Sequence, residues 1–221
     1  MSNAAIKPRK LPVQSRSKKR VESILEVTAA LLIEGGYESL TAVGIAERAG
    51  IPVASLYQYY PNKEAVIYAL CEDMINEVLQ RFNEYENFSE HKMGLNELLI
   101  LMGDREYSDP ANHKLEFELN RAMIAMPQLA ELHTSFDEKI SERFANILRH
   151  YGSQWQHDEL INLARIMFRI GNTYFEHINS TKENTVLAEQ SKVLMLRAIY
   201  SLIKDSMEGS TEKLIQEQQP S

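Results

Sequence analysis

The chain has 221 residues, of which 44% are apolar and 25% charged, the composition of a packed globular protein of one or two domains. No apolar run approaches the roughly 18 residues of a membrane span, the basic N-terminus lacks the apolar stretch of a secretory signal, and the single cysteine, Cys71, excludes a disulfide framework and a cysteine metal cluster and points to a reducing cytoplasm. The net charge of −7 is unevenly spread: residues 1–63 hold nine Lys/Arg against five Asp/Glu, a balance of +4, and the remainder carries −11, so one end is suited to phosphates and the other is repelled by them.

Residues 1–15, with Pro8, Pro12 and several cations, are expected to form a flexible basic arm. From Arg16 onward Val21, Ile24, Leu25, Thr28, Leu31 and Leu32 recur at three- and four-residue steps and predict a helix that stops at Gly35-Gly36. Thr41 is a suitable N-cap for a short second helix, Ala42 to Ala49, although Gly44 stands where a capping-box acid would sit. Gly50-Ile51-Pro52 makes a tight turn into a third helix, Val53 to Tyr60, which Pro61 ends. Asn62 then caps a long fourth helix running past Leu70, Leu79 and Phe82. Two short helices joined at a glycine and supported by a preceding helix form the layout of a helix-turn-helix, a layout also found in proteins that never touch DNA.

Helical periodicity continues over about 93–103, 110–125, 127–151, 157–180 and 184–206, with no alternating β-branched runs and no Asn-Gly hairpin turn. The segment 207–221 is polar and is expected to fray. The fold class is therefore all-α: a basic arm (1–15), a helix-turn-helix domain (16–64), a helical body (65–206) and a polar tail (207–221).

From Arg20 to Glu64 the chain reads RVESILEVTAALLIEGGYESLTAVGIAERAGIPVASLYQYYPNKE. Ile24-Leu25, Ala29-Ala30, Gly36-Tyr37, Thr41, Ile45-Ala46, Ala49-Gly50, Leu56-Tyr57, Tyr59-Tyr60 and Lys63-Glu64 closely resemble the spaced motif of the tetracycline-repressor-like (TetR) family of bacterial transcriptional regulators. Ala42, Ala54 and Tyr60 depart mildly from that motif, which allows a slightly loosened second helix but removes no DNA-facing group. The resemblance covers the head alone.

It implies a repressor that binds a palindromic operator in double-stranded DNA as a homodimer and is released by a small-molecule effector. The third helix of such a motif lies in the major groove. Val53 and Ala54 suit a thymine methyl, and Gln58 can both donate to and accept from an adenine edge. Tyr57 suits a base, a phosphate or partial core packing. Thr41, Ser55, Tyr59 and Lys63 carry the expected phosphate contacts, which set register without reading sequence; Leu56 and Tyr60 face the core. Arg16, Lys18, Lys19 and Arg20 are open to three readings: tracking the phosphates, entering a minor groove, or solvated charge.

In the body, the resemblance implies that the last two long helices pair with a second copy. Leu163, Met167, Leu194, Ala198 and Leu202 are the candidate interface residues. The effector pocket it implies has Met102, Phe117, Asn120, Met123, Phe168, Asn172 and Phe175 as candidates, each Met or Phe also serving as ordinary core. Asn120 and Asn172 stand out because a buried amide needs partners that a ligand can supply. Arg165, Arg169 and His177 are open between an anionic ligand, the dimer and a solvated face. No phosphate loop, Glu-x-x-His pair, HExxH or Gly-x-Ser-x-Gly is present, so neither an enzyme nor a cofactor or metal is expected. The alternative is a DNA-bound adaptor whose body binds a protein partner and no small molecule.

Overall fold

The structure is a computed structural model and describes residues 6–8, 15–107, 110–180 and 185–209. Most of the arm expected over 1–15 and the tail beyond Gly209 lie outside the described residues, within which every regular element is helical. The chain divides into two compact units, Met1–Arg81 with Glu106–Ser135, and Phe82–Arg105 with Phe136–Ser221.

In the first unit, α1 (Ser15–Ser39) buries Ile24, Thr28 and Leu32, one residue per turn on one face. The Thr28 hydroxyl donates to the Ile24 carbonyl at 2.7 Å, so the buried polar atom is satisfied within its own helix. The helix breaks at Gly36, whose φ of 72° and ψ of 169° suit a residue without Cβ. Thr41 precedes α2 (Ala42–Arg48) in an extended conformation, and its Oγ1 accepts the Gly44 N–H at 3.0 Å. A Cβ at position 44 would stand 3.1 Å from that same oxygen, so the glycine that breaks the capping-box pattern leaves room for the cap.

The turn after α2 closes with paired bonds: Gly50 N–H to the Glu47 carbonyl at 3.1 Å and Ile51 N–H to the Ala46 carbonyl at 3.0 Å. This is a Schellman motif, with Gly50 in the left-handed region at φ 63°. It delivers α3 (Val53–Tyr59), which ends where Tyr60 turns extended before Pro61. Asn62 Oδ1 accepts the Ala65 N–H at 2.8 Å and starts α4 (Lys63–Tyr85), as its expected capping role requires.

A single turn, α5 (Phe88–His91), was not expected, because four residues are too few to show a period. Then come α6 (Leu95–Tyr107), α7 (Pro110–Ala125), α8 (Ala130–His150), α9 (His157–Ser180) and α10 (Thr185–Glu208). The segment expected as one helix from 127 opens with a tighter 3-10 turn, Pro127–Leu129, in front of α8. α7 packs against α1 in the first unit, and α9 against α10 in the second. The second unit buries Phe144, Ile147 and Leu148 of α8, Leu160, Leu163, Ala164 and Met167 of α9, and Met195 and Ile203 of α10. Each large apolar side chain so buried contributes roughly 1.5–3 kcal/mol.

Candidate nucleic-acid interface

The helix-turn-helix is fixed from within by Ile45 and Ala46 of α2 and Leu56 of α3, none more than 1% exposed. Tyr60 completes this core; burial, then the Asp73 charge, pushes its phenol up to about 12, so it is neutral. With these residues turned inward, the opposite side of α3 is left for a partner. Ala54 and Gln58 are exposed, Tyr57 keeps 41% of its surface outside, and Val53, Ser55 and Tyr59 are half-buried. The periodicity that sent Leu56 and Tyr60 to the core leaves Ala54, Tyr57 and Gln58 outward and Val53 half-buried.

Lys63, at the start of α4, is tied to the residue before Thr41. The Lys63 ammonium donates to the Leu40 carbonyl at 2.8 Å, which holds the cation next to Thr41. An ammonium has three N–H donors, so this bond leaves donors for an anion, and the Thr41 hydroxyl, accepting from Gly44, still has its own proton to donate. Nothing in the side-chain pattern announced the Leu40 carbonyl, because a backbone acceptor leaves no sequence signal.

Arg16, Lys18, Lys19 and Arg20 belong to the opening turns of α1, which has no acid in its first turn. Cations there oppose the helix macrodipole, an unfavourable arrangement that an anionic partner relieves. Arg48, at the end of α2, is engaged by Glu34 of α1 through both terminal nitrogens, at 2.7 and 3.2 Å.

The candidate effector residues fall in both units: Phe117, Asn120 and Met123 on α7 in the first, and Met102, Phe168, Asn172 and Phe175 in the second. Phe117 and Met123 are buried; Met102, Asn120, Phe168, Asn172 and Phe175 are half-buried. Phe168 meets Phe144 edge-on at 6.0 Å. A recess of about 330 Å³ in the second unit is lined by Glu84, Tyr85, His91, Met93, Leu98 and Arg105 among others, and by none of those seven. Arg165 donates to Asp137 at 2.9 Å, while Arg169 and His177 are exposed. Cys71 is buried, and burial pushes its thiol up to about 12, which keeps it unreactive.

Of the candidate dimer residues, Leu163 and Met167 are buried within the protomer, Leu202 is half-buried, and Leu194 and Ala198 face outward. Leu194 is 65% exposed and shares α10 with the outward Val186, Leu187, Val193, Leu196 and Tyr200, so an apolar ridge runs along the helix. Among the described residues no helix is long and apolar enough to cross a membrane, and no group of three or more His, Cys, Asp or Glu is placed to hold a metal ion.

The family model of bacterial regulatory proteins, tetR family, matches residues 24–70, from within α1 into α4. The nucleoid occlusion factor SlmA of Pasteurella multocida is 24% identical over 175 residues, 76% of this chain and 87% of that protein. The HTH-type transcriptional repressor KstR of Rhodococcus jostii is 46% identical over 46 residues, 21% of this chain and 22% of that one. The Bacillus subtilis fatty acid metabolism regulator protein is 24% identical over 119 residues, 54% of this chain and 57% of its own. Among solved structures, Salmonella enterica GusR superposes with a TM-score of 0.68 at 18% identity, covering 89% of this chain and 99% of that one. A TetR transcription regulator from Haloarcula marismortui gives 0.65 at 14% identity, covering 86% and 100%.

Proposed function

We propose that the chain, whose residues 24–70 match the family model of bacterial regulatory proteins, tetR family, is a DNA-binding transcriptional regulator of that family: a repressor that binds a palindromic operator as a homodimer and leaves it when a small molecule binds the body. The observation that carries this reading is the outward face of α3, where Ala54, Tyr57 and Gln58 are exposed, together with the bond that holds the Lys63 ammonium at the residue before Thr41. Small and amide side chains on a recognition helix read base edges, and hydroxyl and ammonium groups at its flank hold phosphates.

The homodimer is supported by the α10 ridge. Exposed large apolar side chains along a helix are surface that association removes from water. A homodimer carries two copies of α3, one for each half of a palindrome, whose half-sites lie about 34–36 Å apart. Repression is supported by the name of a relative that matches the head, the HTH-type transcriptional repressor KstR. Release by an effector follows from linkage: a ligand that binds the two states unequally shifts their populations by its differential affinity.

Selection of sites from a random duplex pool tests the reading. A palindromic consensus, bound by two chains per duplex in native mass spectrometry, supports it; enrichment of a single half-site by one chain overturns the dimer. A library of small apolar and anionic metabolites is then screened for loss of the complex.

One observation favours a second reading, the DNA-bound adaptor. The relatives matched along most of their length are nucleoid occlusion factors, whereas KstR matches over the head alone. An adaptor keeps its operator in the presence of every small molecule and binds a protein through its body while on DNA.

A further inference from the structure

The break in α1 is held by a helix far away in sequence. Glu118 of α7 is 6% exposed, and a carboxylate so buried is costly unless it is paired and hydrogen-bonded. Here its partners come from two places. Arg121, one turn along α7, donates through Nη1 to both Glu118 oxygens at 3.2 and 3.3 Å. The backbone N–H of Tyr37, just past the break, donates to Oε2 at 3.4 Å. Arg121 also reaches Glu38 through Nη2 at 3.4 Å, and its guanidinium lies over the rings of Tyr37 and Phe117 at 5.5 and 5.8 Å. A Cβ on Gly36 would stand 3.1 Å from Glu118 Oε2, so the carboxylate approaches the backbone where only glycine leaves room.

The clamped turn leads directly into the phosphate-facing pair. Three residues after Tyr37 is Leu40, buried at 2% exposure, whose carbonyl holds Lys63; next comes Thr41. The groups that fix Gly36–Glu38 therefore also fix where Thr41 and Lys63 stand.

We propose that Glu118 and Arg121 are positioning residues for DNA recognition: they clamp the Gly36–Glu38 turn from α7 and thereby set Thr41 and Lys63 against the phosphates, without touching DNA themselves. The proposal rests on the DNA-binding reading above. A positional error of this kind lowers affinity without removing a phosphate contact, and that separates it from the loss of a contacting residue.

The test uses the full-length protein, a selected operator duplex, and the variants Glu118→Gln and Arg121→Gln, the second at a half-exposed site where folding is least at risk. Both variants are expected to bind about tenfold more weakly, with the slope of log affinity against log salt unchanged because the same phosphates are still neutralised. Combining them should add little to either alone, since both break one cluster. Amide exchange over 36–41 should quicken about tenfold while 53–60 keeps its protection. Binding within twofold of wild type in both variants overturns the proposal. So does an affinity loss matched by lost protection over 53–60, which marks general unfolding. If the wild type itself selects no duplex, the DNA-binding reading falls and takes the clamp with it, an outcome distinct from a wild type and a Glu118→Gln variant that bind equally well.

Discussion

The two ends of the chain turn opposite kinds of side chain outward. In the head, α2 and α3 put Ile45, Ala46 and Leu56 inside and leave Thr41, Gln58 and the Tyr57 phenol on the outside. In α10, Met195 and Ile203 go inside, yet Val186, Leu187, Val193 and Leu194 remain outside. The same helical period operates in both regions, so periodicity alone does not explain the contrast. On the proposed reading the outward residues differ because the partners differ: hydrogen-bonding groups for a polyanion, and aliphatic side chains for another apolar surface.

The sharpest way to break this comparison is to remove the inward side of the head. Leu56→Ala empties the contact between α2 and α3 and should cost about 2–5 kcal/mol, read as a lower denaturation midpoint of the head with α9 and α10 still helical. A change below about 1 kcal/mol would mean that α3 is not seated by Leu56. On the outward side of the other region, Leu194→Asp should leave the protomer folded and weaken self-association by about thirtyfold, the size of an interface hot spot at about 2 kcal/mol. Unchanged association by sedimentation equilibrium would remove the α10 ridge from the dimer.

Much of the head was legible in the sequence because its signals are local. Thr41 as a cap, Gly50 as the turn, Asn62 as the next cap, and Leu56 and Tyr60 as core all follow from contacts within a few residues. The stripe on α9 was legible as a stripe, but a stripe does not say which neighbour covers it. Leu163 and Met167, grouped with the interface candidates, are covered within their own protomer. Glu118 was out of reach for a different reason: its partner Tyr37 is 81 residues away, and the group it binds is a backbone N–H. The effector candidates were chosen by residue type, which does not say which unit a side chain joins.

Smaller effects sharpen the picture. Gly50→Ala meets no atom within 4 Å, so only the left-handed backbone resists it, and the head should lose about 1–2 kcal/mol with no change in contacts. A loss above about 3 kcal/mol in thermal denaturation would show that the turn is constrained by more than its backbone.

Smaller still is a pH effect at Glu116, which lies 3.2 Å from Arg81. Burial holds its carboxyl above the ordinary range against the downward pull of Arg81. The native state thus holds the proton more tightly than the unfolded chain does, so this group contributes stability at low pH that is lost as pH rises through the carboxylate range. Wild type should gain on Glu116→Gln between about pH 7 and about pH 4. A constant gap would show that Arg81 offsets burial, and a gap that moves the other way would show that Arg81 outweighs it.

The most direct test of the account is affinity for a selected operator and a scrambled duplex across a salt series, for wild type, Gln58→Ala and Lys63→Ala. Gln58→Ala should narrow the gap between the two duplexes by about 1–3 kcal/mol with the salt slope unchanged. Lys63→Ala should weaken both duplexes alike and lower the slope by about 1. If Gln58→Ala leaves specificity intact and Lys63→Ala leaves the slope intact, the outward face of α3 is not the surface that reads DNA.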